Sequence, residues 1–306
     1  MGKLRVDGSI LKTGGHRCDG MMMRRGEPKK GIRAEIGRGW RVTKLGIHVV
    51  RADPELMAYM LFSGILSLIA AIVLQTTTGG LGYFIGGEES TEVGVFVGTF
   101  LSYMAIAIIT VFWNAAIIAS AHERMTAGTN PSFSYGIKQA MKCLPQIVIW
   151  GLISGTVGLI VGLLDGMAQD DNPVVRAIGS IASLIVQVAW WMTTFFVVPM
   201  IVLDKISISE SMSKSPELFK QTWGEDVVST TGTGIINFLV CLLIVVIGLP
   251  LGVLLGDVLG FLLVLVGIGV SALFFSACEA VNCASLYYFA KTGESPPLAQ
   301  KYGIDF

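Results

Sequence analysis

Six apolar stretches, each about as long as a membrane-crossing helix, are separated by polar or glycine-rich connections. An α-helix needs about 20 residues to cross the hydrocarbon core of a bilayer. The pattern therefore predicts an all-α, polytopic membrane protein with six transmembrane helices. The predicted spans cover residues 56–74, 93–121, 147–164, 177–203, 235–255 and 258–278.

Basic residues are distributed unevenly about these predicted spans. If the N-terminus is cytoplasmic, 21 of the 22 Lys and Arg residues fall on the cytoplasmic side, and Arg176 alone falls outside. Loops that remain in the cytoplasm are enriched in Lys and Arg. The sequence therefore predicts a protein of the cell membrane with both the N and C termini in the cytoplasm.

Composition favours a membrane location and argues against a nucleic-acid partner. Hydrophobic residues make up 53% of the chain and charged residues only 14%, against about 25% charged residues in a soluble domain. The net charge is zero, and the basic N-terminal segment lacks interleaved aromatic residues. Membrane lipids with anionic headgroups at the cytoplasmic face are therefore the expected partner of this segment, and nucleic acid is not.

Two segments precede the predicted transmembrane domain, which covers residues 54–295 and is followed by a cytoplasmic tail at 296–306. Residues 1–30 are basic and glycine-rich without apolar periodicity, which predicts a flexible arm. Residues 31–53 place apolar and basic side chains on opposite arcs, which predicts an amphipathic interfacial helix. Packing of this helix on the cytoplasmic loops is the alternative. The candidate lipid-headgroup contacts are Arg33, Arg38, Arg41, Lys44 and Arg51.

Two of the predicted cytoplasmic connections carry the signals of short amphipathic helices. The first covers residues 131–144, with Asn130 as its predicted N-cap. The second covers residues 215–223, with Ser215 in the same role. In both, a proline follows the capping residue, as is common at the first position of a helix.

Five glycines recur in the third apolar stretch at intervals of four, three, four and four residues. At about 100° per residue they fall on one face of a helix, about 80° wide. Such a stripe lets a neighbouring backbone approach closely, which predicts a helix-packing surface. We expect the neighbour within the chain, with the 235–255 span as the candidate and a second subunit as the alternative. A Gly158→Leu substitution would then disturb folding or assembly. The glycines are Gly151, Gly155, Gly158, Gly162 and Gly166.

The predicted spans contain no Asp, Glu, Lys, Arg or His, and only a few amide side chains interrupt them. Amide side chains in membranes commonly bridge helices, which is the simpler interpretation. Two mid-span tryptophans beside an amide also suggest a pocket. Glu279, at the cytoplasmic end of the last span, is expected to pair with a loop lysine, with a water-filled vestibule as the alternative. The candidate pocket residues are Gln187, Trp190, Trp191, Asn114 and Asn237.

A search for catalytic patterns finds no GxSxG, HExxH or P-loop sequence and no dinucleotide-binding fingerprint. The three histidines are dispersed and lack metal-ligand spacing. His122, Glu123 and Arg124 form the densest polar cluster, but they follow the second span, where a solvated helix end is the simpler interpretation. We therefore expect no catalytic residue, no metal and no cofactor, and we expect that the protein is not an enzyme.

Distinctive motifs occur at residues 37–57, 112–121, 193–225 and 286–296. Together these four segments resemble an uncharacterised family of six-span prokaryotic membrane proteins. They include a Trp-containing amphipathic lead-in, a Phe-Phe-x-x-Pro span exit followed by an amphipathic helix, and a terminal segment rich in Tyr and Phe. The span exit is also distantly similar to membrane domains attached to some glycerophosphodiester phosphodiesterases. The resemblance implies a six-span helical fold but no activity, because none of these motifs is catalytic.

Two functions fit these features. The first is a non-enzymatic structural or scaffolding subunit that forms a homo-oligomer or joins a larger membrane complex. The absence of ionisable residues from the span cores and the glycine-rich helix face favour it. The alternative is a channel or carrier for an uncharged or lipid-like solute, without obvious ion coupling. The candidate pocket favours it, as do Pro199 and Pro250, which lack a backbone N–H and are expected to bend the fourth and fifth spans.

Overall fold

The computed structural model describes residues 32–223, 232–255 and 257–304, and no strand occurs within these ranges. The all-α prediction is thereby confirmed. The predicted flexible arm and the side chains of Arg33 and Arg38 lie outside the described part. The helices are α1 (Ile32–Ala52), α2 (Glu55–Ala127), α3 (Phe133–Lys142), α4 (Leu144–Met167), α5 (Pro173–Thr194), α6 (Val197–Pro199), a π-helix (Met200–Asp204), α7 (Ile208–Trp223), α8 (Gly232–Leu255), α9 (Asp257–Thr292) and α10 (Pro297–Lys301).

α2 is a helical hairpin rather than one 73-residue rod. Helical geometry is interrupted at Gly86–Gly87, and the second of these glycines has a φ of +72°, which only glycine adopts readily. The first arm, residues 55–85, runs antiparallel to the second arm, residues 88–127. Gln75 Nε2 of the first arm donates a hydrogen bond of 2.8 Å to Thr99 Oγ1 of the second. The hairpin therefore contains the first two apolar stretches.

The long helices pack side by side. α4 packs on the second arm of α2, α5 packs on α4, and α9 packs on both α8 and α2. Between α4 and α5, the rings of Trp150 and Trp190 stack with centroids 5.5 Å apart and planes 10° apart. Between α8 and α9, Ser271 Oγ donates a hydrogen bond of 2.9 Å to Asn237 Oδ1. Aromatic and amide contacts thus supplement the apolar packing between helices.

Buried side chains concentrate at one end of the bundle, where α1, α3, α7 and α10 surround the ends of the long helices. This region is termed the hub, and the opposite end, with the Gly86–Gly87 turn, is termed the far end. The hub brings chain segments from both ends of the sequence into contact. Among its fully buried residues are Leu45, Tyr59, Ile117, Met125, Ile147, Phe196, Ile201, Tyr287 and Ala299.

Outside the hub the long helices are lightly packed. Four helical segments are long and apolar enough to cross a membrane, and a shorter apolar helix covers Ile236–Gly248. Only 11% to 22% of the residues in the most apolar stretches of the four segments are buried. Apolar surface on this scale is far larger than the patches of water-soluble monomers. The four segments are Glu55–Ala127, Leu144–Met167, Pro173–Asp204 and Val258–Thr292.

α1 directs part of its apolar face into the hub. Leu45 and Val49 are fully buried, and the helix packs mainly on α9. The expectation of a membrane-facing apolar side is wrong for Val49, because protein covers this residue. A buried polar chain adds to the contact: Thr233 Oγ1 lies 3.2 Å from Thr43 Oγ1 of α1 and accepts a hydrogen bond of 3.1 Å from Asn282 Nδ2 of α9.

The first short amphipathic helix begins later than predicted. α3 starts at Phe133, and its N-cap is Ser132 rather than Asn130. Asn130 instead accepts a hydrogen bond through Oδ1 from Arg124, at the end of the α2 hairpin. The side chain expected to cap α3 is therefore used to join α2 to the connection that follows it.

The second short helix begins earlier than predicted, at Ile208, and continues through Pro216. The hydroxyl of Ser207, just ahead of the helix, accepts a hydrogen bond of 3.3 Å from the backbone N–H of Glu210. Ser215, the predicted cap, accepts a hydrogen bond of 3.1 Å from the backbone N–H of Phe196. Phe196 lies between α5 and α6, where the interrupted helix needs an outside partner for this amide.

Candidate functional site

A polar clamp joins the π-helix to α9 in the hub. Tyr287 Oη donates a hydrogen bond of 2.6 Å to Asp204 Oδ2, and Lys291 Nζ lies 2.7 and 2.8 Å from the two carboxylate oxygens. The two donors are one turn apart on α9. Asp204 ends the π-helix, and the next residue, Lys205, has a φ of +57° that turns the chain away. The clamp therefore fixes the point at which the chain leaves the bundle.

A pocket of about 440 Å³ opens beside this clamp. Its wall includes Asp204, Lys205 and Lys291, so these three side chains contribute one net positive charge. His122 also lies in the wall, with its ring centroid 6.1 Å from that of Tyr288. The Nδ1 atom of this histidine is buried and has no hydrogen-bond partner in the described part of the chain. The pocket can therefore receive polar groups.

The neighbours of His122 have separate structural partners. Glu123 Oε2 accepts a hydrogen bond of 3.1 Å from Tyr135 Oη of α3. Burial and this nearby carboxylate raise the pKa of Tyr135, so its phenol remains a donor at neutral pH. Arg124 Nη1 lies 3.0 Å from Asp53 Oδ2, and the two side chains are 16% and 3% exposed. The interpretation as a solvated helix end is therefore wrong for Arg124.

A second opening, the α2–α9 cleft, has a volume of about 300 Å³. Its polar wall consists of Thr110 and Asn114 from the second arm of α2 and Ser276 and Glu279 from α9. Glu279 is accessible rather than buried. Within the described residues it makes no ion pair, so the expected pairing with a loop lysine is not found there. A carboxylate among hydroxyl and amide groups gives the cleft an acceptor-rich wall.

Apolar side chains complete the α2–α9 cleft on its other sides. Met60 comes from the first arm of α2, Phe195 from the residues after α5, and Pro199 from the end of α6. Phe195 and Pro199 reach the cleft because α5 ends at Thr194 and the chain continues as two short helical segments, α6 and the π-helix. The interruption before Pro199 therefore shapes the apolar wall, as expected for a proline that lacks a backbone N–H.

The glycine stripe packs closely only over its hub-side half. A Cβ added at Gly151 would lie 2.7 Å from Ile108 Cα, and one at Gly155 would lie 3.0 Å from Met104 Cε. Both neighbours belong to the second arm of α2. The expectation that the partner is the 235–255 span is therefore wrong, because α4 packs on the α2 hairpin and on α5.

Towards the far end the same stripe becomes progressively exposed. A Cβ at Gly158 would lie 4.0 Å from the Tyr103 side chain, and one at Gly162 would lie 3.6 Å from it, so neither would be crowded. A Cβ at Gly166 would meet no atom of the described chain within 4 Å. An apolar groove of about 300 Å³ lies along this part, between α4 and the second arm of α2. The open half of the stripe therefore borders space that the described chain leaves unfilled.

The structure separates the two tryptophans that suggested a pocket. Trp190 stacks on Trp150 of α4. Trp191 points to α7, where its ring centroid is 5.5 Å from that of Phe219 in an edge-on arrangement. Adjacent residues on a helix lie about 100° apart, so neighbouring side chains readily contact different helices. These tryptophans therefore do not line one cavity.

The three amides of the predicted pocket also lie apart. Gln187 donates a hydrogen bond of 2.7 Å to Ser183 Oγ, which in turn donates to Asp165 of α4. Asn237 bridges α8 and α9. Asn114 is the one predicted pocket residue that lines the α2–α9 cleft. The structure therefore does not bring the predicted pocket residues together.

The basic face of α1 remains on the surface. Arg41, Lys44 and Arg51 are exposed. Lys44 Nζ lies 5.4 Å from the ring centroid of Trp40, within the range of a cation–π contact. Contact of these residues with anionic headgroups stays a prediction.

Sequence reasoning missed the clamp and the Asp53–Arg124 ion pair. Asp204 directly follows the apolar run of the fourth span, and an acidic residue at that position could have indicated a polar contact with another helix. Tyr287 and Lys291 have one-turn spacing on α9, which is a second signal. No local pattern links these elements, since 83 residues separate Tyr287 from Asp204.

The long, exposed apolar helices and the absence of strands in the described residues define an all-α polytopic membrane protein. Residues 93–297 match a family of unknown function, DUF6159, and the chain belongs to this family. No curated protein matches the chain. The prediction of an uncharacterised family is confirmed, whereas the similarity to membrane domains of glycerophosphodiester phosphodiesterases stays a prediction.

Proposed function

We propose that the protein crosses the cell membrane six times, with both termini in the cytoplasm, and acts as a non-enzymatic scaffold that assembles with further copies of itself. Counting the two arms of α2 separately, five of the six apolar stretches each fall in one helix, and the 177–203 stretch extends through α5, α6 and the π-helix. The rings of His48 in α1 and Tyr302 after α10 stack at 5.7 Å. This contact between the two ends of the described chain supports a common side for both termini.

The observation that carries the scaffold proposal is that only the hub-side half of the α4 glycine stripe is packed against the chain, whereas the other half is open. Gly151 and Gly155 already form a close helix interface with α2, and Gly162 continues the same face into the open groove. The groove is lined by apolar and aromatic residues such as Phe100 and Leu163. Glycine faces support close, self-complementary contacts between identical membrane helices. A second copy of α4 is therefore the proposed occupant.

A matched pair of substitutions tests this assembly. Gly162→Leu places a side chain in the open groove, where a Cβ meets nothing closer than 3.6 Å. We expect a folded protein of unchanged thermal midpoint but with the mass of a monomer in lipid nanodiscs. Gly151→Leu meets the α2 backbone instead, and it should lower the thermal midpoint or prevent folding.

Mass photometry of the purified full chain gives the oligomeric state, and tryptophan fluorescence gives the thermal midpoint. A monomeric wild-type protein would reject the proposal. So would a Gly162→Leu variant that retains the oligomeric mass of the wild type. Gly166→Leu, where a Cβ meets nothing within 4 Å, serves as a second probe of the same open face.

A carrier for an uncharged or lipid-like solute is the second candidate function, and the α2–α9 cleft favours it. The cleft combines a polar wall with apolar sides at the interface of two membrane helices. Such sites between helices are common locations for ligands in bundles. Proteoliposomes carrying acyl-chain-labelled phospholipid test it: accelerated access of a membrane-impermeant quencher to inner-leaflet label supports transport. Rates equal to those of protein-free vesicles contradict it.

A further inference from the structure

We infer that the α2–α9 cleft binds a primary ammonium group, with Glu279 as its counter-ion. This inference deepens the second candidate function in its lipid-like form, since it names the headgroup chemistry of a ligand for the same cleft. It concerns binding and does not require transport. The ammonium group is either the headgroup of an aminophospholipid or a free alkylamine, since both present the same charge and the same three N–H donors.

The carboxylate of Glu279 is accessible and lines the cleft, yet it has no cationic partner in the described ranges. Lys291, on the same helix, is twelve residues away, which is about 18 Å along the helix axis. The clamp with Asp204 already engages that lysine. A charge at the end of a membrane-spanning helix that lines a cavity commonly faces a partner or a ligand. The cleft therefore leaves a negative charge that a ligand can neutralise.

The remaining polar wall matches an ammonium group better than an anion or a neutral apolar ligand. Asn114 offers an amide oxygen, and Thr110 and Ser276 offer hydroxyl oxygens as acceptors. An ammonium group has three donors and no acceptor, so it can use the carboxylate and two further oxygens at once. Among the described residues, those that line the cleft include no lysine or arginine that would repel it.

The apolar side of the cleft suits the hydrocarbon next to the ammonium group. Phe195 supplies an aromatic ring, and Met60 and Pro199 supply aliphatic surface. An aromatic ring near a cation adds attraction through its quadrupole. The volume of about 300 Å³ is at the lower end of ligand pockets, so it accommodates a headgroup or a short amine rather than a whole lipid.

The experiment uses the full chain in nanodiscs of phosphatidylglycerol, which carry no amine. Binding of n-butylammonium is measured by calorimetry, with n-butanol as the uncharged probe and n-butyltrimethylammonium as the probe without N–H donors. Dihexanoyl phosphatidylethanolamine, compared with dihexanoyl phosphatidylglycerol, forms the lipid arm. Saturable binding of n-butylammonium, with at least tenfold weaker binding of the other two small probes, supports the inference. Tighter binding of the ethanolamine lipid than of n-butylammonium identifies the headgroup as the source.

Variants distinguish binding at Glu279 in the cleft from binding at other carboxylates of the protein. Glu279→Gln should weaken n-butylammonium binding at least tenfold, whereas Glu210→Gln, on the exposed part of α7, should leave it unchanged. Ser276→Leu fills the cleft with Glu279 intact and should also abolish binding, which covers the case in which Glu279→Gln fails to fold. Equal binding by wild type and Glu279→Gln overturns the inference, as does equal binding of n-butanol. Binding without lipid movement retains the inference and rejects the carrier function.

Discussion

Replacing Asp53 by Asn should destabilise the hub, because it breaks a buried ion pair. Asp53 is 3% exposed and pairs with Arg124, which is 16% exposed, at 3.0 Å. The substitution leaves the guanidinium largely buried without its counter-ion, and breaking a buried ion pair costs about 3–5 kcal/mol. Arg124 keeps Asn130 and a backbone carbonyl as acceptors. The expected loss is therefore at the lower end, about 3 kcal/mol.

Equilibrium unfolding in mixed micelles of dodecyl maltoside and dodecyl sulfate measures this loss. Tryptophan fluorescence reports on the hub, because Trp113 and Trp150 are buried there. The Glu210→Gln variant is the matched control, since its pair with Lys214 is 45% and 56% exposed. Exposed pairs contribute about 0–1 kcal/mol.

If Asp53→Asn lowers the free energy of unfolding no more than Glu210→Gln does, the assignment of a buried, stabilising ion pair is refuted. The double variant Asp53→Asn with Arg124→Gln provides a further check. Removal of both charges leaves no uncompensated ion, so the double variant should be more stable than the sum of the two single losses implies. Strict additivity would show that the two side chains are not energetically coupled.

Two further substitutions test contacts of the hub. Tyr287→Phe removes a donor to the Asp204 carboxylate and should cost about 1.5 kcal/mol in the same assay; an unchanged unfolding midpoint would mean that the clamp relies on its lysine alone. Gly136→Ala places a Cβ 2.7 Å from Tyr59 Oη in a fully packed contact and should cost about 1–3 kcal/mol. Gly64→Ala, where a Cβ meets nothing within 4 Å, should be neutral or stabilising by up to about 1 kcal/mol. Equal effects of the two alanines would contradict close packing of α3 on the α2 hairpin at Gly136.

The apolar runs predicted the long helices well because membrane helices depend on length and hydropathy, which are local properties. Helix starts were less predictable, since Asn130 and Ser215 fit the pattern of caps but have partners elsewhere in the fold. Asn130 binds Arg124, and Ser215 binds the amide of Phe196. A capping residue is chosen by competition between local and distant partners, and only the local ones are visible in the sequence.

The candidate site was predicted only in part. Asn114 lines the α2–α9 cleft, whereas Trp190 and Trp191, adjacent in sequence, contact different helices. The glycine stripe correctly indicated a face of α4, but periodicity alone does not tell where a neighbouring helix diverges from that face. That depends on the crossing of α4 and α2, which is set by packing along their whole length.

The buried polar chain between α1, α8 and α9 has a consequence for biosynthesis. Thr43 and Thr233 are 190 residues apart, and Asn282 comes later still. During translation, α1 emerges from the ribosome long before the helices that cover Leu45 and Val49 exist. At synthesis rates of about 5–20 residues per second, these apolar side chains wait at least about 10 seconds for their partners. An amphipathic segment in that interval needs a temporary apolar surface, and the membrane beside it provides one. The final docking of α1 therefore completes the fold only after the last helix has been inserted.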